Sequence, residues 1–523
     1  MPNDVILDGG PISAEQVAAV AAGASLSVGD RVSSRMAASR RVVEAVSIGS
    51  DAVYGINTGF GSLSRQRIGA GDLQELQLNL VRSHAAGVGA PLPTPVVRAT
   101  MCCLAASLCR GYSGVRPDVP QSIAAVLNAG ITPVVPETGS VGASGDLAPL
   151  AHIAMVLLGE GEAFIDGVRV GGAEALARAG LAPVSLTAKE GLALLNGTHL
   201  MAGRAALLDM GMRSLLPAAI LASAMSLDAC RGTDAFLSAD VYAVRGHPGL
   251  GTVAAGMRSA LSGSTILPSH RFDDPRVQDP YSIRCAPMVL GAAVDAWRCF
   301  SEAVGRELSA VSDNPLVFPG ADREIVSAGA FHGMPIAIPL DNAAIPLAHL
   351  AGISERRTYL LLSALDPESG LTPYLTRAPG VQSGLMIAQY TAAACCNEII
   401  GLCTPASVAN IPTSAGIEDY NSFGPRSAAK ASRAMELATS VVAIELMCAA
   451  EALEHQRPLR SGDGVERAHE LIRSSVKPWT TDRSPAPDIE RIRALITDRR
   501  FMGIVPDPFQ SDMSEPDSRE DAP

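Results

Sequence analysis

The residues best suited to chemistry lie in one glycine-rich segment, GSVGASGDLAPLAH at 139–152. Within it, Ala143, Ser144 and Gly145 stand side by side. If the Gly145 nitrogen is brought onto the Ala143 carbonyl, the backbone closes into a five-membered ring. Loss of water then turns Ser144 into a methylidene, and the product is an electrophilic imidazolone made from the chain itself. Only small side chains tolerate that approach, and glycine at the third position offers the least hindered nitrogen. The plainer reading of these residues is a tight turn. In that reading Ser144 or Asp146 caps the following helix by accepting from free N–H groups of its first turn. The segment is not a GxSxG nucleophile elbow, because Asp146 replaces the final glycine.

Other chemical signatures are missing. There is no GxxxxGK[ST], and no GxGxxG between a strand and a helix. The nine histidines form neither HExxH nor HxxxH, so neither a P-loop enzyme nor a zinc enzyme is indicated. The ten cysteines contain no CxxC pair, and most sit in apolar runs, as free buried thiols of a reducing compartment do. Only three lysines occur, Lys189, Lys430 and Lys477. A Schiff-base enzyme needs one desolvated lysine in a pocket, and none of the three stands in a diagnostic motif.

The elements that must hold such a loop are mostly helices. The chain has 523 residues, 47% of them hydrophobic and 18% charged, which is enough for a large core and excludes wholesale disorder. A net charge of −12 and an aromatic content of 4% argue against nucleic-acid or anionic-membrane binding. Residues 1–60 look mixed, with VILDGG and DAVYGINTGFG as short apolar runs that end in Gly and Asn as strands or loops do. LQELQLNLVRSHAAG and PVVRATMCCLAASLCRG have helical spacing, AFIDGVRVGG reads as a small hairpin, and Lys189–Leu195 leads into a new helix. Long apolar helices are predicted over 202–230, 286–313, 342–365, 383–401 and 425–456. Several are apolar all round, as in a buried bundle. The expected organisation is mainly α. Residues 1–200 form a small mixed N-terminal region carrying the loop, 201–505 a long-helix bundle, and 506–523 an acidic disordered tail. The longest uninterrupted apolar stretch, 214–227, falls short of a membrane span, and the N-terminus lacks a signal-peptide pattern. A cytoplasmic protein is expected. So much apolar helix surface with so few charges also predicts a homo-oligomer.

Seven segments carry a resemblance: YGINTGFG at 54–61, SHAAGVG at 83–89, the 139–152 loop, KEGLALLNGT at 189–198, VQDPYSIRC at 277–285, SERR at 354–357 and IPTSA at 411–415. In register over roughly residues 10–500, they resemble the aromatic amino acid ammonia-lyase family, and most closely its histidine-specific branch. The resemblance implies a 4-methylidene-imidazol-5-one group (MIO) formed from Ala143-Ser144-Gly145, with no external cofactor and no metal. It implies a homotetramer in which three protomers build each site. By the same resemblance Tyr54 is the catalytic base, Arg284 grips the substrate carboxylate, and Asn196 touches the cofactor oxygen and the substrate. Tyr281 is a second tyrosine near the cofactor, Phe331 a wall of the pocket, and Gln278 a polar pocket residue. The chemistry fits these types. A guanidinium fork matches a carboxylate, and a tyrosine of reference pKa about 10 needs a positive or hydrogen-bonding environment to act as a base.

Two positions bear on the substrate. His84 follows Ser83, the arrangement of the histidine lyases that some tyrosine aminomutases share. Glu418 stands where phenylalanine and tyrosine lyases carry glutamine. An imidazole N–H can donate to a buried carboxylate and a phenyl ring cannot, so facing a ring would leave the carboxylate unpartnered. The expected reaction is elimination of ammonia from L-histidine to give trans-urocanate. The alternatives are a phenylalanine or tyrosine lyase, a 2,3-aminomutase, and a lyase for a modified histidine. The last arises because Gly416-Ile417, Tyr420, Ala330, Ser309 and His199 depart from the usual histidine-lyase residues.

Overall fold

A computed structural model describes residues 4–61, 64, 66–272 and 274–509. The expected acidic tail lies mostly outside the described residues. The chain is mainly α-helical and folds as two units, each drawn from three stretches of sequence. The first takes residues up to 210, 300–342 and 404–432; the second takes 211–299, 343–403 and 433 onward. Every boundary but the one at 403/404 falls inside a long helix, because His199–Ala229, Ala286–Leu308, Met334–Ser363 and Gly424–Glu454 each contribute to both units.

The first unit holds the short strands. Val5–Leu7 pairs in parallel with Leu26–Val28, and Val88–Pro91 pairs antiparallel with Pro136–Thr138. Thr132–Pro133, Glu162–Ile165 and Val168–Gly171 form a three-stranded antiparallel sheet whose last two strands are the expected hairpin. The DAVYGINTGFG segment forms turns rather than a strand. Its anchor is Ile56, which is fully buried in an apolar cluster with Val43, Leu73, Ala188 and Val317. Asn57, also buried, accepts from the Val53 N–H through Oδ1 (2.8 Å) and donates to the Asp51 carbonyl through Nδ2 (2.9 Å). An apolar anchor and a side-chain amide thus replace a ladder in fixing the backbone beside Tyr54.

The second unit is a helix bundle. Val441 to Ala450 are buried without interruption, so this stretch of Gly424–Glu454 is apolar on every side because it meets protein on every side. Inside it Arg357, the last residue of SERR, makes a two-pronged ion pair with Glu445 (2.5 and 2.8 Å), and both side chains are fully buried. Ser226 adds a hydrogen bond to the same carboxylate (2.8 Å). Removing one partner of such a pair costs about 3–5 kcal/mol, because the other charge stays buried and unpaired.

Three expectations are corrected. The helix expected from 342 begins at Met334. Pro335 stands in the first turn, where a proline gives up only an N–H that has no helical partner, and Pro339 is carried one turn further inside the helix. The helix expected to reach 313 ends at Leu308, short of Asn314-Pro315, where the residue before proline is steered out of helical geometry. Finally, counting uninterrupted apolar residues understated two helices. His199–Ala229 and Met334–Ser363 have the length and hydropathy of membrane spans, but 83% of the apolar window of the first is buried inside the protein, as in a core helix. All ten cysteines are free. Five are buried, and Cys299 alone is exposed.

Candidate active site

The 139–146 loop is held from three sides within the first unit. Gly145 and Gly197 form an isolated parallel bridge: the Asp146 N–H donates to the Gly197 carbonyl (2.7 Å), and the Gly197 N–H donates to the Ser144 carbonyl (3.3 Å). The approach requires glycine at both positions. A Cβ on Gly145, at φ +73°, would overlap the Gly197 carbonyl, and one on Gly197, at φ +114°, would lie 2.7 Å from both His199 Nε2 and Ser312 Oγ. From the second side, Ser422 Oγ donates to the Gly142 carbonyl (3.2 Å) and the Phe423 N–H donates to the Val141 carbonyl (2.9 Å). From the third, Ser140 Oγ donates to the Gly145 carbonyl (3.2 Å) and accepts from the Gly142 N–H (3.2 Å).

Asp146 does not cap the helix that follows it. No side-chain bond links it to Leu147–Leu157. Its Oδ2 instead accepts from the N–H groups of Leu200 (2.9 Å) and Met201 (3.1 Å), at the start of His199–Ala229. Two orphan donors of a core helix are thereby satisfied by a residue of the loop. Burial pushes the Asp146 carboxyl up to about 7, against the pull of those two N–H groups.

Ser144 and Asn196 are brought together, with Ser144 Oγ donating to Asn196 Oδ1 (2.6 Å). The Asn196 amide nitrogen donates to Asp313 Oδ1 (3.1 Å) and to the Asn314 carbonyl (3.0 Å). Asp313 Oδ2 takes the ammonium of Lys189 at 2.6 Å, and neither side chain is more than 2% exposed. His199, fully buried, donates to the Asn196 backbone, and burial pushes its imidazole down to about 4, so the ring is neutral.

Tyr54 is half-buried and close enough to Glu418 for its ionisation to be affected. Burial raises its phenol above the ordinary tyrosine value. A hydrogen bond from the Gly61 backbone pulls it back, and the carboxylates of Glu418 and Asp313 push it further up. Glu418 is half-buried at the end of a short turn, where its Oε2 accepts from Thr413 Oγ1 (2.9 Å).

His84 ends the helix Leu73–His84, and its Nδ1 lies 2.8 Å from the Leu80 carbonyl and 3.1 Å from Ser83 Oγ. A carbonyl can only accept, so Nδ1 carries the proton and, in the neutral ring, Nε2 keeps its lone pair. Phe331 is half-buried in the turn before Met334–Ser363. Its neighbour His332 bonds the Tyr420 carbonyl through Nε2 (3.0 Å).

Gln278, Tyr281 and Arg284 belong to the second unit. Arg284 Nε donates to the Asp279 carbonyl (3.0 Å), and its guanidinium lies 4.5 Å from the centroid of the Tyr281 ring. Tyr281 is 69% exposed, and Gln278 is exposed as well. Lys189, Asp313 and Thr413 were missed from sequence. The sole signal for Lys189 was its position at the head of the KEGLALLNGT segment.

This combination defines an aromatic amino acid lyase: residues 12–474 match that family, and the chain belongs to it. It is a carbon–nitrogen lyase. It is 47% identical to the histidine ammonia-lyase of Anaeromyxobacter sp. (strain K), over 94% of this chain and 98% of that protein. Among solved structures, the histidine ammonia-lyase of Trypanosoma cruzi superposes with a TM-score of 0.87 at 36% identity, covering 98% of this chain and all of the other. The tyrosine aminomutase of Streptomyces globisporus gives 0.89 at 33% identity, covering 96% and 98%.

Proposed function

We propose that this chain eliminates ammonia from L-histidine to give trans-urocanate, using an MIO group formed from its own Ala143, Ser144 and Gly145, as a cytoplasmic homotetramer with shared sites. The residues present fit the group. Gly145 and Gly197 meet where no Cβ fits, which supports the closure of backbone on backbone that the ring requires. Ser144, whose hydroxyl must leave, is hydrogen-bonded to Asn196. When formed, the group supplies an electrophilic carbon that makes the substrate amine a better leaving group.

The chain's own residues supply the rest. Tyr54 takes the β-proton, aided by the Gly61 N–H, which favours the phenolate. Arg284 grips the substrate carboxylate as a planar fork, its rotamer steadied by the Asp279 carbonyl and the Tyr281 ring. Tyr281 completes the catalytic set from a surface that another protomer covers. Phe331 and Gln278 line the pocket. His84 Nε2 and the Glu418 carboxylate are acceptors, suited to a substrate ring that carries N–H donors.

The single observation behind the choice of histidine is the half-buried Glu418 carboxylate beside the proposed base, since a phenyl ring would leave that face of it without a donor. The test is an ultraviolet assay across L-histidine, L-tyrosine and L-phenylalanine, whose conjugated products absorb distinctly. Histidine is expected to be the preferred substrate. Glu418→Gln is expected to lower that preference by roughly tenfold or more, the equivalent of a lost bond to a charged group. Preference of the unaltered enzyme for phenylalanine would remove the carboxylate argument.

A further inference from the structure

Asn196 has one acceptor and two donors on its side chain, and their surroundings leave a single orientation. Its amide nitrogen faces Asp313 Oδ1 and the Asn314 carbonyl, both of which accept. Turning the amide over would set oxygen against both of them. Asp313 is itself fixed. Oδ1 also accepts from the Asn314 N–H (2.7 Å), and Oδ2 is taken by Lys189, which has only donors to offer. The network is buried, so water cannot relieve a mismatch.

We propose that Asp313 is a positioning residue for self-processing of the triplet: its carboxylate, held by Lys189, locks Asn196 so that an acceptor and not a donor faces the Ser144 hydroxyl. The inference rests on the MIO reading and adds to it a requirement on residues outside the triplet. The processing balances within the chain. The Gly145 nitrogen bonds to the Ala143 carbonyl carbon, and that oxygen leaves as water with the N–H protons of Gly145 and Ser144. Ser144 Oγ then leaves as a second water with the Ser144 Cα proton. An acceptor on the Oγ–H keeps that hydroxyl in one rotamer throughout.

Polarity of hydrogen bonding separates this role from a merely structural one. Asp313→Asn and Lys189→Met both break the buried pair, and both are expected to lower the melting temperature. Only Asp313→Asn reverses the polarity at Asn196. Its oxygen must turn to Lys189, its NH2 then faces the Asn196 NH2, and Asn196 is driven to flip. The measurement is the intact mass of the 143–145 peptide from folded protein, alongside the melting temperature. Unaltered protein two waters lighter establishes the MIO reading independently of this inference. Against that reference, the processed fraction is expected to fall at least about tenfold in Asp313→Asn, as for a lost charge-assisted bond. It is expected to persist in Lys189→Met and to return in the double variant, where the new asparagine is free to turn its oxygen to Asn196. Full processing in Asp313→Asn overturns the proposal, as does a loss that tracks melting temperature equally in both single variants. If the single variants do not fold, the double variant decides, processed for the proposal and unprocessed against it. If none folds, neutron diffraction from the unaltered protein reads the same point. Deuterium on Asn196 nitrogen towards Asp313 agrees with the proposal, and oxygen there contradicts it.

Discussion

At Tyr54 the single chain works against the proposed chemistry. Burial and two nearby carboxylates raise the phenol, and only the Gly61 backbone lowers it. A base must be ionised to act, so kcat/KM for histidine is expected to climb as pH rises through neutrality, limited by the fraction of phenolate. Glu418→Gln removes a negative charge that opposes that phenolate. The rise should therefore move to lower pH in this variant, even as histidine preference falls; a rise displaced to higher pH would contradict the electrostatic assignment. Tyr54→Phe should lose about 10²–10⁴-fold in kcat while its 143–145 peptide stays two waters lighter, because Tyr54 is assigned to proton removal and not to processing. At this scale the proposed triplet and Tyr54 stand out in the sequence because each sits in a short local segment, whereas Glu418 comes only from the resemblance, its neighbours Gly416-Ile417 departing from the usual pattern. Lys189 and Asp313 do not stand out, because 124 residues separate them and their meaning lies in the contact.

Among the elements, the His199–Ala229 helix depends on a residue it does not contain. Asp146 caps it from the loop, so the loop's position and the start of this core helix are fixed together. The sequence rule for caps looked forward to the adjacent helix and found the wrong one, because capping needs proximity in space and not in order. Replacing the cap by alanine should cost roughly 0.5–2 kcal/mol of stability, read from denaturant unfolding. The raised Asp146 carboxyl adds a pH signature. Between the ordinary aspartate range and about 7 the folded state holds a proton that the unfolded state has released, so this group's contribution to stability declines as pH rises across that window. Asp146→Asn lacks the titration and keeps an acceptor for Leu200 and Met201. Measured against it, unaltered protein should lose relative stability from pH 4 to pH 7; a constant difference would show that Asp146 does not titrate there. The helix pattern itself was plain in the sequence, since long apolar runs in a mainly helical chain have few other outcomes. Its ends were not: the helix expected from 342 begins at Met334, with Pro335 in its first turn and Pro339 already inside it.

For the molecule as a whole, the apolar surface left on the long helices is the feature one chain does not account for. Ile345, Ile387, Tyr390 and Ile400 of the second unit are each about half exposed or more. Met288, Val289 and Ala292 of Ala286–Leu308 line an apolar groove together with Ile345 and His349. In the proposed tetramer such surface is covered by other copies. Ile345→Glu should therefore yield species smaller than four times the 54.0 kDa chain in sedimentation, and lose most activity with them. Retention of full activity in a monomer would dispose of shared sites. The expectation of an oligomer came from composition alone, because apolar content in excess of what one core can hide is countable without coordinates. The most direct measurement for the whole account is the mass of the peptide spanning 143–145 in freshly purified, unaltered protein. The account predicts a peptide two waters lighter than its sequence; an unmodified peptide from protein that is folded and fully assembled would contradict it.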